Sequence, residues 1–179
     1  MMLRLLIVVA MSLSLAPCAA RAQERAHDND IVKAFSDICS AAIDQKPDIE
    51  DAATAHAMVG IGPAGATVKL GKLELRTFQS TRTKNNIIIT TMTFADAREV
   101  ECRGISPTAV ERVELDRLVR DLQLDGQFFS PNASLTTGYW KRPGIAPLVL
   151  IRITSTPTST ILIMQRIDSG SAGSDANRN

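Results

Sequence analysis

Histidine and the aromatic residues are scarce in this chain, and the shortage narrows the chemistry open to it. Its 179 residues include two histidines, three cysteines, one tryptophan and one tyrosine. No H-x-x-x-H or C-x-x-C spacing gathers ligands around His27 or His56, so no metal centre is expected. A serine hydrolase of the nucleophile-elbow type needs G-x-S-x-G, which is missing. What remains on the catalytic side is a small hydrolase using carboxylates, with His56 as its base. The plainer reading of His56 is a helix-packing residue with one nitrogen satisfied. No catalytic residue, metal or cofactor is assigned from the sequence.

Excess charge is lacking as well, with 20 basic against 19 acidic residues. Such a balance sets up no long-range field to gather nucleic acid or an anionic membrane surface. The longest apolar run, residues 5–15, is broken by Ser12 and Ser14. It falls short of the roughly 20 residues a helical membrane span requires. Arg4 precedes the run, Pro17 ends it, and Ala20, Arg21 and Ala22 place small residues where a signal peptidase reads. This is the pattern of a secretory leader. Cleavage is expected after Ala22, giving a periplasmic or secreted protein that begins at Gln23; a retained N-terminal anchor is the alternative. Residues 1–22 contain Arg4 and Arg21 and no acid, so the mature chain keeps 18 basic and 19 acidic residues, a net of −1. Cys18 invites a lipoprotein reading, but Pro17 stands where a small flexible residue is wanted, so lipidation is not expected. The leader has no twin-arginine pair, which favours export of the unfolded chain.

With Cys18 removed, Cys39 and Cys102 remain, 63 residues apart. An even count in an exported chain reads as one disulfide. The rival is a thiol nucleophile with a histidine base, which an oxidising compartment disfavours.

Apolar residues make up 45% of the chain and charged residues 22%, enough for a sizeable core in one domain of this length. That domain is expected over residues 23–168, followed by a disordered polar tail over 169–179. From Asp30, the residues Ile31, Ala34, Phe35, Ile38, Cys39 and Ala42 recur on one helical face, and Lys46 before Pro47 closes the helix. A second helix is expected from Pro47 or Asp48 to about Val59, with Gly60 as its stop and residues 60–66 as a glycine-rich loop. The period then falls to two around Val68 and Leu70 and again around Leu73 and Leu75, with Gly71 and Lys72 between them as a tight turn or a bulge, so that with residues 86–94 and 99–103 this stretch holds three or four strands. Val100 and Cys102 share one face of the last, and Glu99, Glu101 and Arg103 the other. Ser106 and Pro107 signal the start of a third helix ending at Asp125 and Gly126. Three further strands are expected over 135–141, 147–154 and 160–167. No internal repeat is visible. The class is α+β: two N-terminal helices, an antiparallel sheet of about six strands, one helix inserted between strand groups, and helix one disulfide-linked to the sheet.

Residues 60–65 match G-x-G-x-x-G, but a helix precedes them and a strand follows, the reverse of a dinucleotide site. Asn132 opens a glycosylation acceptor triplet, incidental in a chain whose leader is bacterial in style. Two segments are candidate partner contacts. Lys69, Lys72, Arg76, Arg82 and Lys84 concentrate positive charge opposed by Glu74 alone, suited to an anionic partner or to protecting a sheet edge. Tyr139, Trp140, Lys141 and Arg142 set the lone tyrosine and tryptophan beside two cations. Neighbours on a strand point to opposite faces, so one aromatic can be core while the other stacks on a partner. The function expected is that of a non-enzymatic binding or accessory module of the cell envelope, with an envelope protein or a glycan as partner. The oligomeric state is left open.

Overall fold

In the computed structural model, residues 30–169 are described except 69, 70, 133 and 145–147. The expected leader with Cys18, as well as His27, Lys69 and the tail from residue 170, lies outside the described residues.

The described residues open with α1 (Asp30–Ile43) and α2 (Ile49–Ala55), and α3 (Arg112–Asp121) follows later. The apolar stripe of α1 is buried as its spacing requires, with Ile31, Phe35, Ile38 and Cys39 each at most 1% exposed. All three helices end without a glycine, on Gln45, Ala57 and Gln123, each with φ between 51° and 57°. At α1 the amide of Lys46 donates to the Ala41 carbonyl and that of Gln45 to Ala42; at α3 Leu124 and Gln123 repeat the pattern on Val119 and Arg120. These paired bonds satisfy carbonyls that a helix end leaves open.

The sheet is antiparallel throughout and has eight strands, not about six. They are β1 (Met58–Val68), β2 (Gly71–Ser80), β3 (Asn86–Thr93), β4 (Ala97–Ser106), β5 (Asp125–Asn132), β6 (Leu135–Lys141), β7 (Val149–Thr156) and β8 (Ser159–Ser169), in the spatial order β1-β2-β3-β4-β8-β7-β6-β5. What the sequence hides lies at the edges, most of β1 and all of β5. Residues 60–66, expected as a loop, belong to β1, and Asp125 and Gly126, expected as a helix stop, open β5. Both segments are rich in glycine or proline, which strands disfavour, so the backbone ladders to β2 and β6 hold them extended. Each edge also slips register at a proline, β1 between Ile61 and Ala64 and β5 between Phe129 and Asn132. A proline at a bulge removes a donor and blunts the edge against pairing with another chain.

The third helix begins later than its expected start, at Arg112. Ser106 is taken up by β4, opposite Thr160 of β8, and its hydroxyl accepts from the Thr108 amide. The Val110 amide then donates to Thr160 Oγ1, so tertiary pairing delays the helix. α2 also ends before Val59, which β1 claims. The topology is a doubled one: α1 and α2 then a four-stranded meander, α3 then a second, joined where β4 pairs with β8.

All three helices pack on one face of the sheet. α1 lies against β4, and Cys39 forms a disulfide with Cys102, their Cα atoms 5.4 Å apart. Phe35 presses on Gly104, where a Cβ would come within 2.9 Å of its ring. Around them Ile87, Val100, Leu115, Leu118, Ile153, Leu162 and Met164 complete the core. Arg142 joins β6 to α1, its Nη1 3.1 Å from Asp44 Oδ1, with its side chain 12% exposed.

Candidate functional site

Among the described residues, nothing covers the other face of the sheet. Strand parity dictates what it displays, because residues two apart share a face. On β6, Trp140 points to the helices and is 3% exposed, whereas Tyr139 points to the open face and is 66% exposed. Phe128 meets the tryptophan ring edge-on at 4.6 Å, and the Arg112 guanidinium stacks on Phe128. Gly138 and Gly126 make room for the indole: a Cβ at either position would collide with Trp140.

The register carries one row across the open face from β5 to β3: Gln127, Tyr139, Arg152, Ile163, Arg103 and Ile88. Ile163 is only 6% exposed although no layer covers it; an arginine stands on the neighbouring strand at either side. The long alkyl stems of arginine can shield apolar surface in this way. Arg103 donates from Nη2 to Glu101 Oε1 at 2.7 Å, and its Nε is buried without an acceptor among the described residues. Arg152 has no partner within them. Around this row Phe129, Leu150, Ile161 and Ile167 are exposed by 36–63%. Acids balance the cations: Lys141 faces Asp125 at 3.5 Å, and Gln165 donates to Glu99.

Of the four residues at 139–142, Tyr139 and Lys141 therefore stand on the open face, Trp140 is core, and Arg142 is committed to Asp44. Lys72 and Arg76 lie on β2 on the helix side, each with an acid: Lys72 with Glu74 and Arg76 with Glu50 of α2 at 2.9 Å. The Lys72 ammonium, by hydrogen bond and charge, holds the exposed Glu74 carboxyl below its usual pKa, with Arg76 and Arg98 adding to the effect. Arg152, Phe129, Ile161 and Ile167 escape a motif search. Only counting strand parity outward from Trp140, through the correct register, places them beside Tyr139.

A second place is a cleft of about 440 Å³ between α1 and α2, with Ser36, Ser40, Lys46, Asp48 and Asp51 among its lining residues. His56, just past α2, is 7% exposed, and its Nε2 lies 2.8 Å from Asp37 Oδ2 on α1. A carboxylate on one ring nitrogen fixes the orientation of the imidazole. The contact also ties the two helices together. Among the described residues no group of three histidine, cysteine or acidic side chains is placed to hold a metal ion, and no helix is long and apolar enough to cross a membrane. No family model, curated protein or solved structure matches the chain, so its function is read from its own residues.

Proposed function

We propose that the protein is an exported, non-enzymatic binding or accessory module of the cell envelope, working through the open face of its sheet on an envelope protein or a glycan. The observation that carries this reading is the exposed set Tyr139, Phe129, Leu150 and Arg152 on a face that no other layer of the described residues covers. Contiguous exposed apolar surface rimmed by polar groups is the usual mark of an interaction site, and tyrosine and arginine are the residue types that contact hot spots favour. Export is supported by the leader pattern and by a disulfide, which suits an oxidising compartment. Mass spectrometry of protein recovered from an expressing cell is expected to find an N-terminus at Gln23; Met1, or a lipidated Cys18, would exclude the assignment. For binding, the purified protein is offered to envelope extract beside its Tyr139→Ala and Arg152→Ala variants. Each variant is expected to keep its melting temperature and lose roughly tenfold or more of the capture, as at contact hot spots. Identical capture by all three proteins would rule out the face as the site.

The His56–Asp37 pair favours one second reading, a small hydrolase with His56 as base and Asp37 orienting it. Turnover of ester, glycoside or peptide substrates that His56→Gln abolishes would establish it.

A further inference from the structure

We infer that a second copy of this chain occupies the open face, forming a face-to-face dimer in which the two sheets stack between outer helical layers. The inference rests on reading that face as a contact surface and goes further by naming its occupant.

The size of the face is the first argument. Strand spacing and rise give eight strands carrying four rows of outward side chains a footprint of about 1,000 Å². Two such faces in full contact bury about 2,000 Å² in total, and half that overlap still reaches the roughly 1,000 Å² of a specific interface. With the leader removed, as the proposed export has it, the chain's own remaining segments cannot match this surface. Residues 23–29 and 170–179 contain no apolar side chain larger than alanine.

Charge is the second. An anionic membrane or a strongly acidic partner would call for a basic face, but here Arg103, Arg152 and Lys141 are matched by Glu99, Glu101 and Asp125. A face with both signs in register rows is complementary to itself. A two-fold axis crossing the strands between the rows of Arg103 and Glu101 lays each Arg103 over the partner's Glu101. The same operation sets Tyr139 over the partner's Lys141 and Ile161 over the partner's Ile167, and it opposes no like charges. Twisted sheets stack in this manner at about 30°. The blunted β1 and β5 edges direct association away from edge pairing and onto the face. An envelope partner then meets this face in competition with the second copy.

Sedimentation velocity on the purified protein from 1 to 100 µM tests the inference. Twice the chain mass is expected within that range. Arg103→Glu and Glu101→Arg are each expected to weaken self-association at least about a hundredfold, because like charges then face each other. An equimolar mixture of these two variants is expected to restore the dimer, since each supplies the charge the other lacks. Circular dichroism of both variants checks that the fold is kept. A wild-type monomer at 100 µM, a variant that still dimerises, or a mixture that stays monomeric would each overturn the proposal. A wild-type monomer whose Tyr139→Ala variant still loses envelope capture would sink the dimer and leave the binding function standing. A charge-dependent dimer with capture indifferent to Tyr139 would do the opposite.

Discussion

Single side chains in this fold divide into those that seal the two layers together and those left on the open face. Gly104 is of the first kind, since Phe35 occupies the space a Cβ needs. Gly104→Ala is expected to cost about 1–3 kcal/mol, the usual penalty for overpacking a close contact, measured by denaturant titration. Trp140 and Tyr139 fall on opposite sides of the same division. Trp140→Ala is expected to lose about 3–5 kcal/mol as a buried large aromatic, whereas Tyr139→Ala changes stability little. If both truncations unfolded the protein, Tyr139 would be core after all. The alternation that separates the two aromatics is legible in the sequence, but which of them faces the helices is not. That choice depends on the glycine bed at Gly126 and Gly138 and on Phe128, contributed in part by a strand with no β signal of its own. Arg142 shows the same limit. Its charge is evident from the sequence, but its partner Asp44 lies 98 residues away.

At the scale of elements, the helix ends carry stored strain. Ala57 and Gln123 hold left-handed backbone with a Cβ attached. Ala57→Gly and Gln123→Gly are each expected to stabilise the protein by roughly 0.5–1 kcal/mol, the left-handed penalty less glycine's larger entropy loss. Differential scanning calorimetry would show a higher melting temperature. Gln45→Gly should gain less, because the Gln45 side chain also accepts from Arg98 and donates to Asp168. On β2, Glu74 has its pKa lowered chiefly by Lys72. A carboxylate depressed in the folded state contributes stability above its unfolded pKa, and that contribution is lost as pH falls through the folded value. Lys72→Ala is therefore expected to move the Glu74 midpoint up toward the ordinary carboxylate range in an NMR titration. An unmoved midpoint would mean that Arg76 and Arg98 hold the charge instead.

For the whole molecule, the Cys39–Cys102 disulfide closes a span of 63 residues that includes α2 and the first three strands. The chain-entropy model assigns a loop of that length about 4 kcal/mol. Natural domains hold only about 5–15 kcal/mol in all, so Cys39→Ala with Cys102→Ala should leave a much less stable protein. A chemical denaturation midpoint unchanged by the double substitution would show that packing of α1 on β4 suffices alone. The doubled topology distributes stability unevenly: the first meander is tied covalently to α1, and the second is held to it by Trp140, Arg142 and the β4–β8 ladder.

The amphipathic α1, the cysteine pair and the inner strands are local or pairwise signals, and residue spacing alone determines them. Hydrophobic period and charge need no partner to be read. The sheet's edges, the true start of α3 and the membership of the open face were decided by tertiary structure. Each depends on a hydrogen-bonding neighbour distant in the chain: β1 is extended by β2, β5 by β6, and Ser106 is claimed by Thr160. A strand's two faces are equivalent until a helix layer covers one. It was the docking of α1 through Cys39 that made Val100 and Cys102 the inside and left Glu101, Arg103 and Tyr139 on the outside.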